Sequence, residues 1–151
     1  DDGTAIAEFT ISSTDFVIKS VTGDKDIIFK GVDGTSAITA LTLDMSEAGA
    51  ATFNNDVTAF SDERLKTEVE TINDALNKVC QMRGVSFKRT DNDGRTSVGV
   101  IAQEIEKVLP EVVREDSSED KIKSVAYGNI VGVLIEAIKE LKNEIEKLKK
   151  E

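Results

Sequence analysis

The chain has 151 residues, 39% hydrophobic and 32% charged, with a formal charge of -10, one cysteine and no histidine. A lone Cys80 excludes an internal disulfide framework, and the lack of histidine excludes a Ser-His-Asp triad, a Cys-His pair and imidazole metal ligands within the chain. Charge is uneven, 3 Lys/Arg against 10 Asp/Glu up to residue 60 and 16 against 19 thereafter, so the first segment repels phosphate backbones and nucleic-acid binding is not expected.

The sequence begins Asp1-Asp2 without an initiator Met or a basic and apolar leader, and no apolar run approaches membrane-spanning length. It reads as a soluble fragment of something longer, with no membrane insertion. Residues 1-60 are rich in Thr, Ser, Ala, Gly and Asp. Short alternating runs, "EFTI", "DFVIKS", "DIIFKG" and "ITALTLD", are separated by "TGDKD" and "VDGTS". Period-two alternation between Gly/Asp turns predicts short strands. Five of the six phenylalanines lie here, Phe9, Phe16, Phe29, Phe53 and Phe60. Sixty residues of short strands still cannot close a sizeable core alone. Pairing with other copies as intertwined chains is the expected remedy, and a truncated piece of a β-sandwich is the competing reading.

At "FSDERLK", Phe60 to Lys66, the composition changes. With no histidine, a nucleophilic Ser61 needs a lysine that has lost its proton, and Lys66 is the candidate; burial is what lowers a lysine pKa far enough. Ser61 followed by Asp62 and Glu63 is also what a helix N-terminus looks like, so as a bare pattern Ser61 reads first as a cap. Residues five apart lie on opposite sides of a strand and about 140° apart on a helix, so a bend after Ser61 or a neighbouring subunit has to bring the two together.

Thr71-Ile72-Asn73-Asp74 has capping-box spacing, and Ile72, Leu76 and Val79 predict a helix ending near Arg83-Gly84. "GVSFKRTDNDGRTSVGVI" alternates on both sides of Asp91-Asn92-Asp93-Gly94 and predicts a hairpin. Arg95 and Thr96 stand where a calcium loop needs a ligand and a glycine, so no metal is expected there. "AQEIEKVLPE" predicts a short amphipathic helix stopped by Pro110, "EDSSED" a solvated loop, and "KIKSVAY" one more strand. From about Asn129, Val131, Leu134, Ile138, Leu141, Ile145 and Leu148 are spaced 3, 4, 3, 4, 3, a heptad seam. With Val131, Ile138 and Ile145 at a, Glu144 falls at g and Lys149 at the following e. Self-association follows, and β-branched a with Leu at d leans toward two strands. An intramolecular core helix fits less well, because "KELKNEIEKLKKE" is charged everywhere outside that seam.

Three stretches carry a resemblance. Ser-Asp-x-x-Leu-Lys at Ser61-Lys66, Gly-x-Ile-Ala-Gln-Glu at Gly99-Glu104, Pro110-Glu111, Tyr127 and the Ala-Ile-Lys-Glu-Leu that starts the coil resemble the C-terminal intramolecular chaperone domain of phage tail spikes, tail fibres and neck appendages, the S74 peptidase family. The likeness covers residues 61-151. Looser similarity of Leu41-Val57 to the strand-rich stem of such fibres accompanies it.

The resemblance implies an α+β chain. Residues 1-60 would be a β stem, an intertwined trimeric β-helix or β-prism, and 61-151 a chaperone and autoprotease domain whose coiled coil runs about 129-151. It implies a homotrimer, overriding the two-stranded lean. Three chains would be aligned so that the stem, dominated by slow non-local pairings, folds in register. Release by autoproteolysis would follow, with Ser61 as nucleophile and Lys66 as general base. Attack on the Phe60 carbonyl passes through a five-membered ring, which favours the Phe60-Ser61 bond; Ser61-Asp62 stays open. Expected partners are identical chains, the upstream fibre chain and a host-surface receptor for the stem. The expected location is the virion after assembly in the host cytoplasm, and no cofactor is expected. A non-cleaving trimerisation module and the related release of a membrane-anchored transcription factor are the rival readings. The acidic stem and missing basic patch argue against the second.

Overall fold

The computed structural model describes residues 6-91 and 94-150. They form nine strands and three α-helices in two compact units, one made of residues 1-61 with Arg89-Arg95, the other of Asp62-Lys88 with the rest from Thr96 onward.

In the first unit β1 (Ala7-Ser12) and β2 (Asp15-Ser20) form an antiparallel hairpin, with Ser12 opposite Asp15 and Ser13 in the left-handed region at φ 56°. Cross-strand partners Phe9 and Ile18, and Ile11 and Phe16, put four large apolar side chains on one face. The Phe9 and Phe16 rings stack with centroids 6.2 Å apart. A three-stranded antiparallel sheet follows: β3 (Ile27-Asp33), β4 (Ser36-Asp44) and β5 (Ala50-Phe53), with an irregularity after Phe29. Gly34, at φ 61°, supplies the tight β3-β4 turn that "VDGTS" predicts. β1 to β4 thus stand where the alternation puts them, while β5 falls outside the alternating runs. None of the described residues of this unit is buried, and Phe9, Ile11, Phe16 and Val32 are each more than two thirds exposed. Among the described residues, the two small sheets bury no side chain of this unit.

All six buried residues of the described structure, Ala75, Ile105, Leu109, Val112, Val133 and Ala137, belong to the second unit. They come from α1 (Ala75-Gln81), α2 (Ala102-Ile105), the single turn Pro110-Val112 and α3 (Ile130-Leu148). β6 (Val85-Lys88) pairs with β7 (Thr96-Gly99), and β8 (Val113-Glu115) with β9 (Lys123-Val125), both antiparallel. The hairpin falls where predicted. Asn92 and Asp93 of its turn lie outside the described residues, as does Glu151 of the coil. Pro110 opens a turn at the position where its missing N-H costs nothing, and α2 ends well before it.

Two predicted helix features differ. The capping box at Thr71-Asp74 does not form: Asp74 takes a left-handed φ of 56° and makes no side-chain cap, and the helix starts at Ala75. Its first amides are taken instead by Glu140 of α3, whose carboxylate accepts from Ala75 N-H at 3.0 Å and Leu76 N-H at 2.7 Å. α3 also has two apolar faces rather than one. Val133 and Ala137 face the core with Ile130 beside them, while Val131, Leu134, Ile138, Leu141, Ile145 and Leu148 are 42-70% exposed in this single chain.

Glu140→Ala is expected to lower the unfolding free energy by about 1-3 kcal/mol, since two orphan amides lose a charged acceptor in a half-buried setting. Glu140→Gln recovers part of the loss. Urea denaturation at fixed protein concentration measures both; an Ala variant as stable as the parent refutes the cap.

Candidate functional site

The segment from Phe60 to Lys66 is built by its own short-range hydrogen bonds. Phe60 is 97% exposed, with Ser61 beside it, also exposed, as the last residue of the first unit. Asp62, extended at φ -63° and ψ 136°, caps a single 3-10 turn over Glu63-Leu65. One carboxylate oxygen accepts from Arg64 N-H at 2.9 Å and from Arg64 Nε at 2.9 Å, and the other from Arg64 Nη2 at 2.7 Å. Leu65 N-H donates to the Asp62 carbonyl at 3.1 Å and Lys66 N-H to the Glu63 carbonyl at 3.0 Å. Lys66 then leaves in extended conformation at φ -125° and ψ 144°.

This geometry corrects one expectation: the cap of the turn is Asp62, not Ser61. The side-chain hydrogen bond from Arg64 holds the Asp62 carboxyl below its ordinary value, and the same bond raises Arg64. The turn lies between Ser61, in the first unit, and Lys66, in the second, and Lys66 is exposed.

The other motif residues turn out to hold the fold. Arg83 grips Glu104 with both carboxylate oxygens engaged, at 3.1 Å and 2.5 Å, which ties the end of α1 to α2 and holds Glu104 below its ordinary value. The Tyr127 hydroxyl accepts from Val100 N-H at 3.2 Å and lies over Gly99, where a Cβ would meet the Tyr127 Oη at 2.6 Å and Phe87 at 3.3 Å. Glycine is required there for close approach, not for an unusual φ. Lys123 donates to both oxygens of Glu106 at 2.6 Å, joining β9 to α2. None of these partners is visible from sequence spacing; Gly99 and Tyr127 stood out only as motif positions. No group of His, Cys, Asp or Glu suited to a metal occurs among the described residues, and no described helix is long and apolar enough to cross a membrane.

Residues 61-114 match the model of the family described as "Chaperone of endosialidase", peptidase S74. This segment carries a chaperone domain of that class. Relatives of the chain are long tail fiber proteins Gp37: from Enterobacteria phage K3, 37% identical over 94 residues, 58% of this chain and 8% of that protein; and from Enterobacteria phage M1, 36% identical over 104 residues, 63% and 41%. The Salmonella phage S16 protein of the same name is 30% identical over 112 residues, 68% of this chain and 15% of its own length. The chain therefore spans well under half the length of these relatives.

Two outcomes test the local geometry. The Arg64 amide resonance is expected to titrate with a midpoint below the ordinary aspartate value of 3.8: the cap is fully present above that value and is lost as pH falls through the depressed one. A midpoint at or above 3.8 contradicts the pairing. Gly99→Ala should cost about 1-2 kcal/mol by displacing the Tyr127 hydroxyl from Val100 N-H. In a Tyr127→Phe background, where that hydroxyl is already gone, the same substitution should cost clearly less; strictly additive losses in a double-mutant cycle would exclude the contact.

Proposed function

We propose that the chain is the end of a phage tail fibre, in which residues 61-151 act as an intramolecular chaperone that brings three copies together, lets residues 1-60 fold as an intertwined β stem, and then cuts itself off at Ser61. The observation that carries this reading is apolar surface with no cover in the single chain. No described residue of the first unit is buried, and α3 exposes a six-residue seam while its opposite face is already docked. Ile135, at the e position beside Leu134 and 47% exposed, adds apolar surface beyond a and d; the seam alone leans toward two strands, and the count of three comes from the family resemblance. Local contacts form α3 and its hairpins quickly, whereas an intertwined stem needs non-local pairings, so a coil that assembles first supplies the register.

Scission needs a neutral Lys66, and apolar surface from neighbouring copies is the means by which assembly would switch it on. Lys66 Nζ takes the proton of the Ser61 hydroxyl as Oγ attacks the Phe60 carbonyl carbon. The proton passes to the departing Ser61 amine, the acyl group rests on Oγ as an ester, and water opens the ester to free the Phe60 carboxylate. The exposed Phe60 leaves this bond open to attack; the Ser61-Asp62 bond is the alternative. Loss of the chaperone removes the refolding route and leaves the stem kinetically trapped. The stem then meets a host-surface receptor in the virion, joined to the upstream fibre chain and assembled in the host cytoplasm.

A second reading, a trimerisation module that does not cut, is favoured by one observation: Lys66 is exposed in the single chain. Intact mass of freshly purified, denatured protein separates the two. The dyad predicts two fragments from the parent and one full-length chain from Ser61→Ala and from Lys66→Ala, with the fragment masses identifying the bond. Full-length chain from all three leaves the non-cutting module.

A further inference from the structure

The first unit is not one stretch of chain: Arg89-Arg95, between β6 and β7 in sequence, belongs to it together with residues 1-61. Cutting either bond of Ser61 therefore severs the backbone while part of the downstream piece still sits in the first unit.

The turn from Asp44 to Gly49 shows what holds that tip. Asp44 Oδ1 accepts from Ser46 N-H at 3.0 Å, Glu47 N-H at 3.2 Å and the Ser46 hydroxyl at 2.7 Å, and Gly49 N-H donates to the Asp44 carbonyl at 2.8 Å. The turn closes with Ala48 and Gly49 both at positive φ, 54° and 79°. Glu47 is thus fixed by its backbone. Its Oε2 is shut off from solvent and makes no hydrogen bond, and Arg95 Nη2 stands 3.6 Å away. At the same tip Arg89 pairs with Asp91. A carboxylate oxygen withdrawn from water is costly without an opposite charge, and Arg95 is an opposite charge facing the screened Oε2 of Glu47.

We infer that the Glu47-Arg95 contact retains the chaperone piece on the fibre after the backbone is cut, so that scission and departure are separate steps and ionic strength governs the second. An isolated ion pair of this kind is weak, but copies acting together in one assembly hold by avidity. The scission step rests on the self-cleaving reading; the contact does not.

The test is arranged to keep the two apart. In full-length Ser61→Ala chain, a recognition sequence for a site-specific protease is inserted between Val57 and Thr58, and the protein is cut there and passed over a sizing column at about 0.05 M and about 1 M salt. The pieces are expected to co-elute at low salt and separate at high salt. Arg95→Glu should separate them at low salt, and Glu47→Arg combined with Arg95→Glu should restore co-elution. Pieces that part at low salt in the parent, that stay together in about 1 M salt, or that ignore Arg95→Glu overturn the inference. Absence of self-cleavage in the chain bearing Ser61 would remove the earlier reading and leave this result standing.

Discussion

Helix α3 has two apolar faces, one docked and one exposed, and the rest of the second unit depends on how it divides its surface. Val133 and Ala137 pack against α1 and the 102-112 region, while the a and d positions turn away. Glu140 lies on the docked side and takes the first two amides of α1. A seven-residue helix has little stability of its own, and its start at a left-handed Asp74 gives it no local cap. α1 therefore exists as a helix because α3 is beside it. The consequence is an order of dependence: α1 is positioned by the same helix that carries the exposed row from Val131 to Leu148.

The two units differ in how far they satisfy themselves. In the second, each of the small elements is tied by a directed polar contact: Arg83 to Glu104, Lys123 to Glu106, and Tyr127 to the Val100 amide. Six buried residues are few for a domain, and these contacts fix the orientation that so small a core leaves loose. The first unit has no such core. Its phenylalanines and isoleucines meet across strands within a hairpin or sheet, as Phe9 does with Ile18, yet stay open to solvent. Cross-strand pairs add only tenths of a kcal/mol to about 1 kcal/mol each, far below the entropy of ordering the strands.

What the sequence disclosed follows from the range of the forces involved. The positions of β1 to β4, the 85-99 hairpin and α3 were legible because period-two alternation, Gly/Asp turns and heptad spacing are local patterns. The seam of Val131 to Leu148 was legible for the same reason, and its exposure agrees with a helix that is charged elsewhere. What could not be read were contacts between distant positions. Thr71-Asp74 has the spacing of a capping box, but the acceptor that wins is 65 residues away in sequence. Ser61 looked like a cap because short-range preference allows Ser or Asp; Arg64, two residues beyond Asp62, settles it by gripping the carboxylate with its side chain as well as its amide. The need for a glycine at 99 becomes physical only once Tyr127 lies over it.

The segment at Ser61 is where these dependences meet. Ser61 and Lys66 are both exposed, one on either side of a single short turn. On the self-cleaving reading proposed above, scission before assembly would detach the helix that aligns the copies, so a single-use cut would have to wait for it. On that same reading, burial of Lys66 would follow the gathering of copies by α3, and residues 1-60, with no buried residue among those described, are the part of the chain whose folding would lie nearest that event in sequence. The check on assembly would then lie in desolvation of one amine, a change that no pairing of isolated residues 61 and 66 supplies by itself.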